Sequence, residues 1–177
     1  MINLYHTSTK QGLTSIIPKN NNHFGIKFPQ PVVWAVEKHS KPLFLFPQNC
    51  PRISFRVDAK TSSDDRKKFK EEYASNQVII IESKWYEILQ NQPLYQYELN
   101  SGNFNLEKPS LGLYSSLQSA EILNQKLISN PIAEIISLNI ELKITPSLWK
   151  TFDYLSKFTY QTFFINLKNA SPRMIFD

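Results

Sequence analysis

The 177-residue chain is 41% hydrophobic and 13% aromatic, which excludes a disordered chain and allows a sizeable core. Its net charge of +5 is too modest for a basic arm, and with only 4 glycines the Gly-rich loops that cradle phosphates are scarce. The single cysteine, Cys50, excludes an internal disulfide, and no Cys/His set has zinc spacing, so no metal centre is expected.

In chain order, Ile2 to His6 reads as a first strand and Gln11 to Ile17 as a short helix. A polar loop follows, bracketed by Asn20-Asn21-Asn22 and Pro29-Gln30-Pro31. Val32 to Val36 is β-branched and apolar, a buried strand. An aromatic stretch, Lys41 to Phe46, ends in Pro47, and Ile53 to Val57 alternates as a strand with one solvated face. Ser62-Ser63-Asp64-Asp65 offers capping oxygens to a charged helix. Its Arg66-Lys67-Lys68-Phe69-Lys70 run is offset by neighbouring acids and reads as a solvated face, with a nucleic-acid contact as the alternative.

Val78 to Ile81 is a central strand. Lys84 to Gln90 reads as a helix with Trp85, Ile88 and Leu89 inward. Leu94 to Leu99 alternates, residues 100–103 turn, and Phe104 to Leu106 returns. Leu111 to Ser115 and Ala120 to Leu123 continue the sheet. A helix near Ile132 to Ser137, a strand Ile140 to Ile144 and a helix from Ser147 close the chain. Short strands with irregularly inserted helices predict an α+β fold, as one domain over residues 1–177 with one connected sheet system. The opening Met1 to His6 lacks a basic stretch before a long apolar one, and no apolar run could span a bilayer. A cytoplasmic protein without a membrane partner is expected.

No G-x-G-x-x-G, P-loop, H-E-x-x-H or G-x-S-x-G motif is present. His6 ends a strand beside the hydroxyls of Thr7 and Ser8, where it either bonds a turn or orients a ligand. Cys50 has no base at a recognisable spacing and reads as a buried thiol. Arg52 pairs with a carboxylate or binds phosphate. Trp34, Trp85, Tyr95 and Trp149 read as core or half-core aromatics. Tyr114 and Glu121 lie on late strands, where each faces either a cleft or solvent.

The segments Pro31 to Ala35, Phe46-Pro47 through Cys50-Pro51-Arg52-Ile53, Trp85-Tyr86-Glu87 and Tyr95-Gln96-Tyr97 resemble a family of short bacterial proteins of unknown function. Leu4 to Ser8 and Leu138 to Pro146 are similar to it too, so the likeness covers nearly the whole chain. Leu4-Tyr5-His6-Thr7-Ser8, Gly12-Leu13-Thr14-Ser15-Ile16 and Pro18 also look like the start of ADP-ribosyltransferase-fold proteins. That resemblance implies a split, bent mixed sheet with peripheral helices and NAD as substrate, its ADP-ribose transferred to an unknown protein or RNA acceptor or hydrolysed.

Cleaving a nicotinamide–ribose bond develops oxocarbenium character on the sugar, as glycoside hydrolysis does. The resemblance implies that His6 fixes a ribose hydroxyl and that Tyr114 or Trp34 walls the nicotinamide. Glu121 would stabilise the charged sugar, with Thr7, Ser8 and Arg52 as further nucleotide contacts. A non-catalytic module binding a nucleotide or peptide, and a small RNA-directed enzyme, are the alternatives.

Overall fold

A computed structural model describes residues 2–20 and 26–173, so the centre of the expected polar loop, with His23, lies outside the described residues. In chain order the strands are β1 (Leu4–Ser8), β2 (Ser15–Ile16), β3 (Val33–Glu37), β4 (Arg52–Arg56), β5 (Gln77–Glu82), β6 (Leu94–Leu99), β7 (Asn105–Lys108), β8 (Leu113–Ser116), β9 (Ala120–Ile128), β10 (Glu141–Thr145) and β11 (Gln161–Ile165). The helices are α1 (Ser63–Glu72), α2 (Tyr86–Asn91), α3 (Pro131–Ser137) and α4 (Trp149–Leu155), and a 3-10 turn covers Lys38–Phe44. The architecture is α+β. Among the described residues no helix is long and apolar enough to cross a membrane.

The chain forms two compact units. One comprises residues 1–48 and 92–129, the other 49–91 and 130–177. The first holds a seven-stranded sheet in the order β2-β9-β6-β1-β3-β8-β7, antiparallel throughout. Leu4, Val33, Ala35, Tyr97, Leu99 and Tyr114 share one face and form its core, with Ile16 and Ala120. Directly opposed residues project to the same side of a sheet, so the register itself fixes this grouping.

The second unit holds a four-stranded sheet, β10-β5-β4-β11, with β10 parallel to β5. Ile53 and Phe55 on β4 meet Val78 and Ile80 on β5, and α1 and α4 supply Phe69 and Leu155 to the same cluster. Ile79 and Ile81 project the other way and are buried as well. A strand buried on both faces reads as the continuous apolar run that β5 is. The basic run on α1 is a solvated face: Lys67 and Lys68 pair with Glu71 and Glu72 one turn on, at 4.0 and 3.7 Å.

Three expectations are corrected. The five early strands do not join one sheet, since β4 and β5 belong to the second. Alternation marks a strand's buried face but not its neighbour, and Pro47, Pro51 and Pro93 flank the points where the chain passes between units. Gln11 to Ile17 is not helical: its end is β2, laid against β9 at Ser15↔Glu121. In α2, Leu89 is buried but Ile88 is exposed, because a helix of six residues presents only one narrow stripe inward.

Candidate functional site

β1 lies between β6 and β3. Its ladder with β6 runs from Leu4↔Leu99 to Ser8↔Tyr95, whereas its ladder with β3 comprises Leu4↔Glu37 and Tyr5↔Val36. Beyond Tyr5 the second register does not continue. The Trp34 carbonyl is met there by a side chain, His6 Nδ1, at 2.8 Å. A carbonyl cannot donate, so Nδ1 carries the hydrogen and Nε2 is left as an acceptor. Burial lowers the His6 pKa below its ordinary value, and the Lys19 charge adds to that, while the bond to Trp34 works against them. The imidazole is therefore neutral at pH 7, in one tautomer.

His6 faces Tyr97 across β6, and Ala35 faces Tyr114 across β8. Carrying the β1–β3 register one step further sets His6 beside Ala35. Tyr97, His6, Ala35 and Tyr114 thus form a row across one face, with the small Ala35 between the imidazole and the phenol. The Tyr97 hydroxyl is committed to the Lys10 carbonyl at 2.7 Å.

One same-face step along β3, about 7 Å away, stands Glu37. Its Oε1 accepts the Tyr114 hydroxyl at 2.9 Å, and its Oε2 lies 3.4 Å from His39 Nδ1. Burial and the bond to Glu37 both raise the Tyr114 pKa, so the phenol stays a donor. Glu37 and His39 are one-third and two-fifths exposed, so solvent reaches this end of the row.

Gly112 fixes the arrangement. Its backbone sits at φ +51°, and a Cβ there would lie 2.8 Å from His39 Cε1 and 2.9 Å from both Cβ and Cδ of Glu37. The Glu37 amide donates to the Gly112 carbonyl at 2.9 Å, which locks the approach.

The residues expected to act together are placed as follows. His6 and Tyr114 share the row. Ser8 shares their face through strand alternation, while Thr7 and Trp34 alternate to the other, where Trp34 meets Phe28 edge-on at 5.6 Å. Glu121 is exposed. Its neighbours Ala120 and Ile122 pack in the core, so its carboxylate projects away and accepts from Asn100 Nδ2 at 3.0 Å.

Arg52 belongs to the other unit, buried, with Nη1 donating to the Cys50 carbonyl at 2.8 Å; burial lowers its pKa to about 10. Cys50 is buried, and burial pushes its thiol up to about 12. Glu37 and His39 escaped the sequence reading. Their only signal is an acid and a histidine two residues apart, immediately after an apolar strand. Among the described residues no group of three or more His, Cys, Asp or Glu side chains is placed to hold a metal.

A family model described as a family of unknown function (DUF6886) matches residues 5–170. No curated protein and no solved structure matches the chain.

Proposed function

Because the chain belongs to the DUF6886 family, whose function is unknown, its own site has to carry the reading, and we propose that it is an ADP-ribosyltransferase-like protein that binds NAD and transfers or hydrolyses its ADP-ribose. One observation carries this: the His6 imidazole, neutral and pinned through Nδ1 to the Trp34 carbonyl, keeps Nε2 as an acceptor where the β1–β3 ladder stops. A pinned acceptor suits a ribose hydroxyl, which can donate to it without the ring having to reorient.

Ser8 offers a second hydroxyl contact, and Tyr114 rather than Trp34 is the aromatic wall, being on the same face. The negative charge that steadies an oxocarbenium-like ribose falls in this reading to Glu37. It shares the face of His6, whereas Glu121 projects from the opposite side of β9. Arg52 is given no part.

The test is calorimetric titration with NAD. Wild type should bind. His6→Ala should weaken binding about 5- to 150-fold, the equivalent of about 1–3 kcal/mol for an unpaired partner, with the unfolding midpoint largely kept. Absence of NAD affinity in wild type, or unfolding of His6→Ala, would defeat the proposal. Binding without release of nicotinamide would identify a non-catalytic nucleotide-binding module instead.

A further inference from the structure

Glu37 divides its two oxygens between different partners. Oε1 is satisfied by a buried donor, the Tyr114 hydroxyl at 2.9 Å, which leaves Oε2 directed to His39 Nδ1 at 3.4 Å. A carboxylate facing Nδ1 favours the tautomer with hydrogen there and leaves Nε2 basic, the arrangement by which an acid orients a general base. The 3.4 Å separation is longer than a closed hydrogen bond, as such contacts often are before substrate arrives. Gly112 packs against both residues, so closely that no side chain larger than hydrogen fits between its Cα and the pair.

Exposure separates the two histidines. His6 is half-buried and its Nδ1 is occupied by backbone, whereas the His39 side chain is 43% exposed. One suits a fixed part of a bound substrate, the other a group arriving from solution. His39 stands two residues beyond Glu37, on the 3-10 turn that continues directly from β3.

Resting on the nucleotide reading above, we infer that His39, oriented by Glu37, is the base that takes the proton from an oxygen nucleophile as it attacks the ribose C1′, so the acceptor class is water or a hydroxyl. In the step, the C1′–N bond to nicotinamide breaks and both its electrons leave with the ring nitrogen, neutralising the pyridinium. The acceptor oxygen bonds to C1′ and its proton passes to His39 Nε2. The resulting imidazolium faces the Glu37 carboxylate, which stabilises it. A thiolate acceptor needs no base, and a guanidinium does not yield its proton to an imidazole. A hydroxyl becomes acidic only as its oxygen bonds to carbon, which is the situation an imidazole base serves.

The experiment measures NAD consumption by wild type and by His39→Ala in buffer, with and without added methanol as a hydroxyl acceptor, alongside NAD affinity by calorimetry. Wild type should release nicotinamide and, with methanol, form the methyl glycoside of ADP-ribose. His39→Ala should bind NAD within about 2-fold of wild type yet turn it over about 100-fold more slowly. Imidazole added to the buffer should restore a substantial part of that loss, an effect a purely structural histidine would not show. Glu37→Gln should lose turnover without imidazole rescue. If His39→Ala keeps its rate, or loses it with no rescue while binding is intact, the base assignment is overturned and the nucleotide reading stands. If wild type neither binds nor consumes NAD, both fall.

Discussion

Gly112→Ala perturbs the candidate site through backbone geometry alone. At φ +51° an L-residue costs about 1–2 kcal/mol relative to glycine. The new methyl would also sit 2.8 Å from His39 Cε1 and 2.9 Å from two Glu37 carbons. His39 can swing outward, but Glu37 Cβ is anchored to β3, so relief needs β3 or β8 to shift, and overpacking of that kind costs about 1–3 kcal/mol. The reduced freedom of the unfolded chain returns about 0.4–1 kcal/mol, leaving a net loss of about 1–5 kcal/mol. Gly12 is the internal control: its φ is +68° but nothing lies within 4 Å of the Cβ position, so Gly12→Ala should show the backbone cost without the clash. Urea unfolding of both variants separates the contributions. If Gly112→Ala is no more destabilising than Gly12→Ala, the close packing of Gly112 on Glu37 and His39 is wrong, and the rigid placement of that pair goes with it.

His6 gives the fold a pH dependence whose sign is set by burial. Its folded pKa is lowered from 6.5, so the unfolded state binds more protons between the two values. Stability from this residue is complete above about pH 6.5 and is lost as the pH falls through the folded value, with a slope of at most about 1.4 kcal/mol per pH unit. His6→Gln should flatten that acid limb in a pH series of thermal unfolding, and an unchanged limb would show that His6 does not cause it. Cys50, buried with its thiol pushed up to about 12, should resist alkylation of the native protein at neutral pH, and Cys50→Ser should leave activity within a few-fold; rapid labelling with loss of activity would contradict this.

Strands carried by β-branched or alternating runs are legible in the sequence because burial writes them directly: Val33–Glu37, Gln77–Glu82 and Leu94–Leu99 fall within a residue of expectation. The partition of strands between sheets is not, since β4 and β5 carry the same pattern whichever sheet they join. β11, Gln161–Ile165, is not legible: its run Thr162-Phe163-Phe164-Ile165 is short, and the exposed position between Phe163 and Ile165 carries an apolar Phe164, so burial alternates but hydrophobicity does not. β9 reaches Ile128, well past the expected Leu123, because Asn124, Gln125 and Lys126 are exposed and polar and their strand geometry comes from pairing with β6. Of the site, His6 is visible as a polar residue inside an apolar strand. Glu37 and His39 are not, because what singles them out is the approach of Gly112 and Tyr114 from more than 70 residues away in sequence.

The NAD reading requires His6 Nε2 to accept from a nucleotide sugar, and the imidazole nitrogen-15 spectrum of that residue observes it directly. In the free protein the hydrogen should reside on Nδ1, bonded to the Trp34 carbonyl, with Nε2 showing the shift of an unprotonated nitrogen. Adding NAD should move the Nε2 signal as a ribose hydroxyl donates to it, while Nδ1 stays protonated. A hydrogen on Nε2 in the free protein, or a His6 spectrum that does not change at saturating NAD, would contradict the assignment of His6 as the residue that holds the sugar.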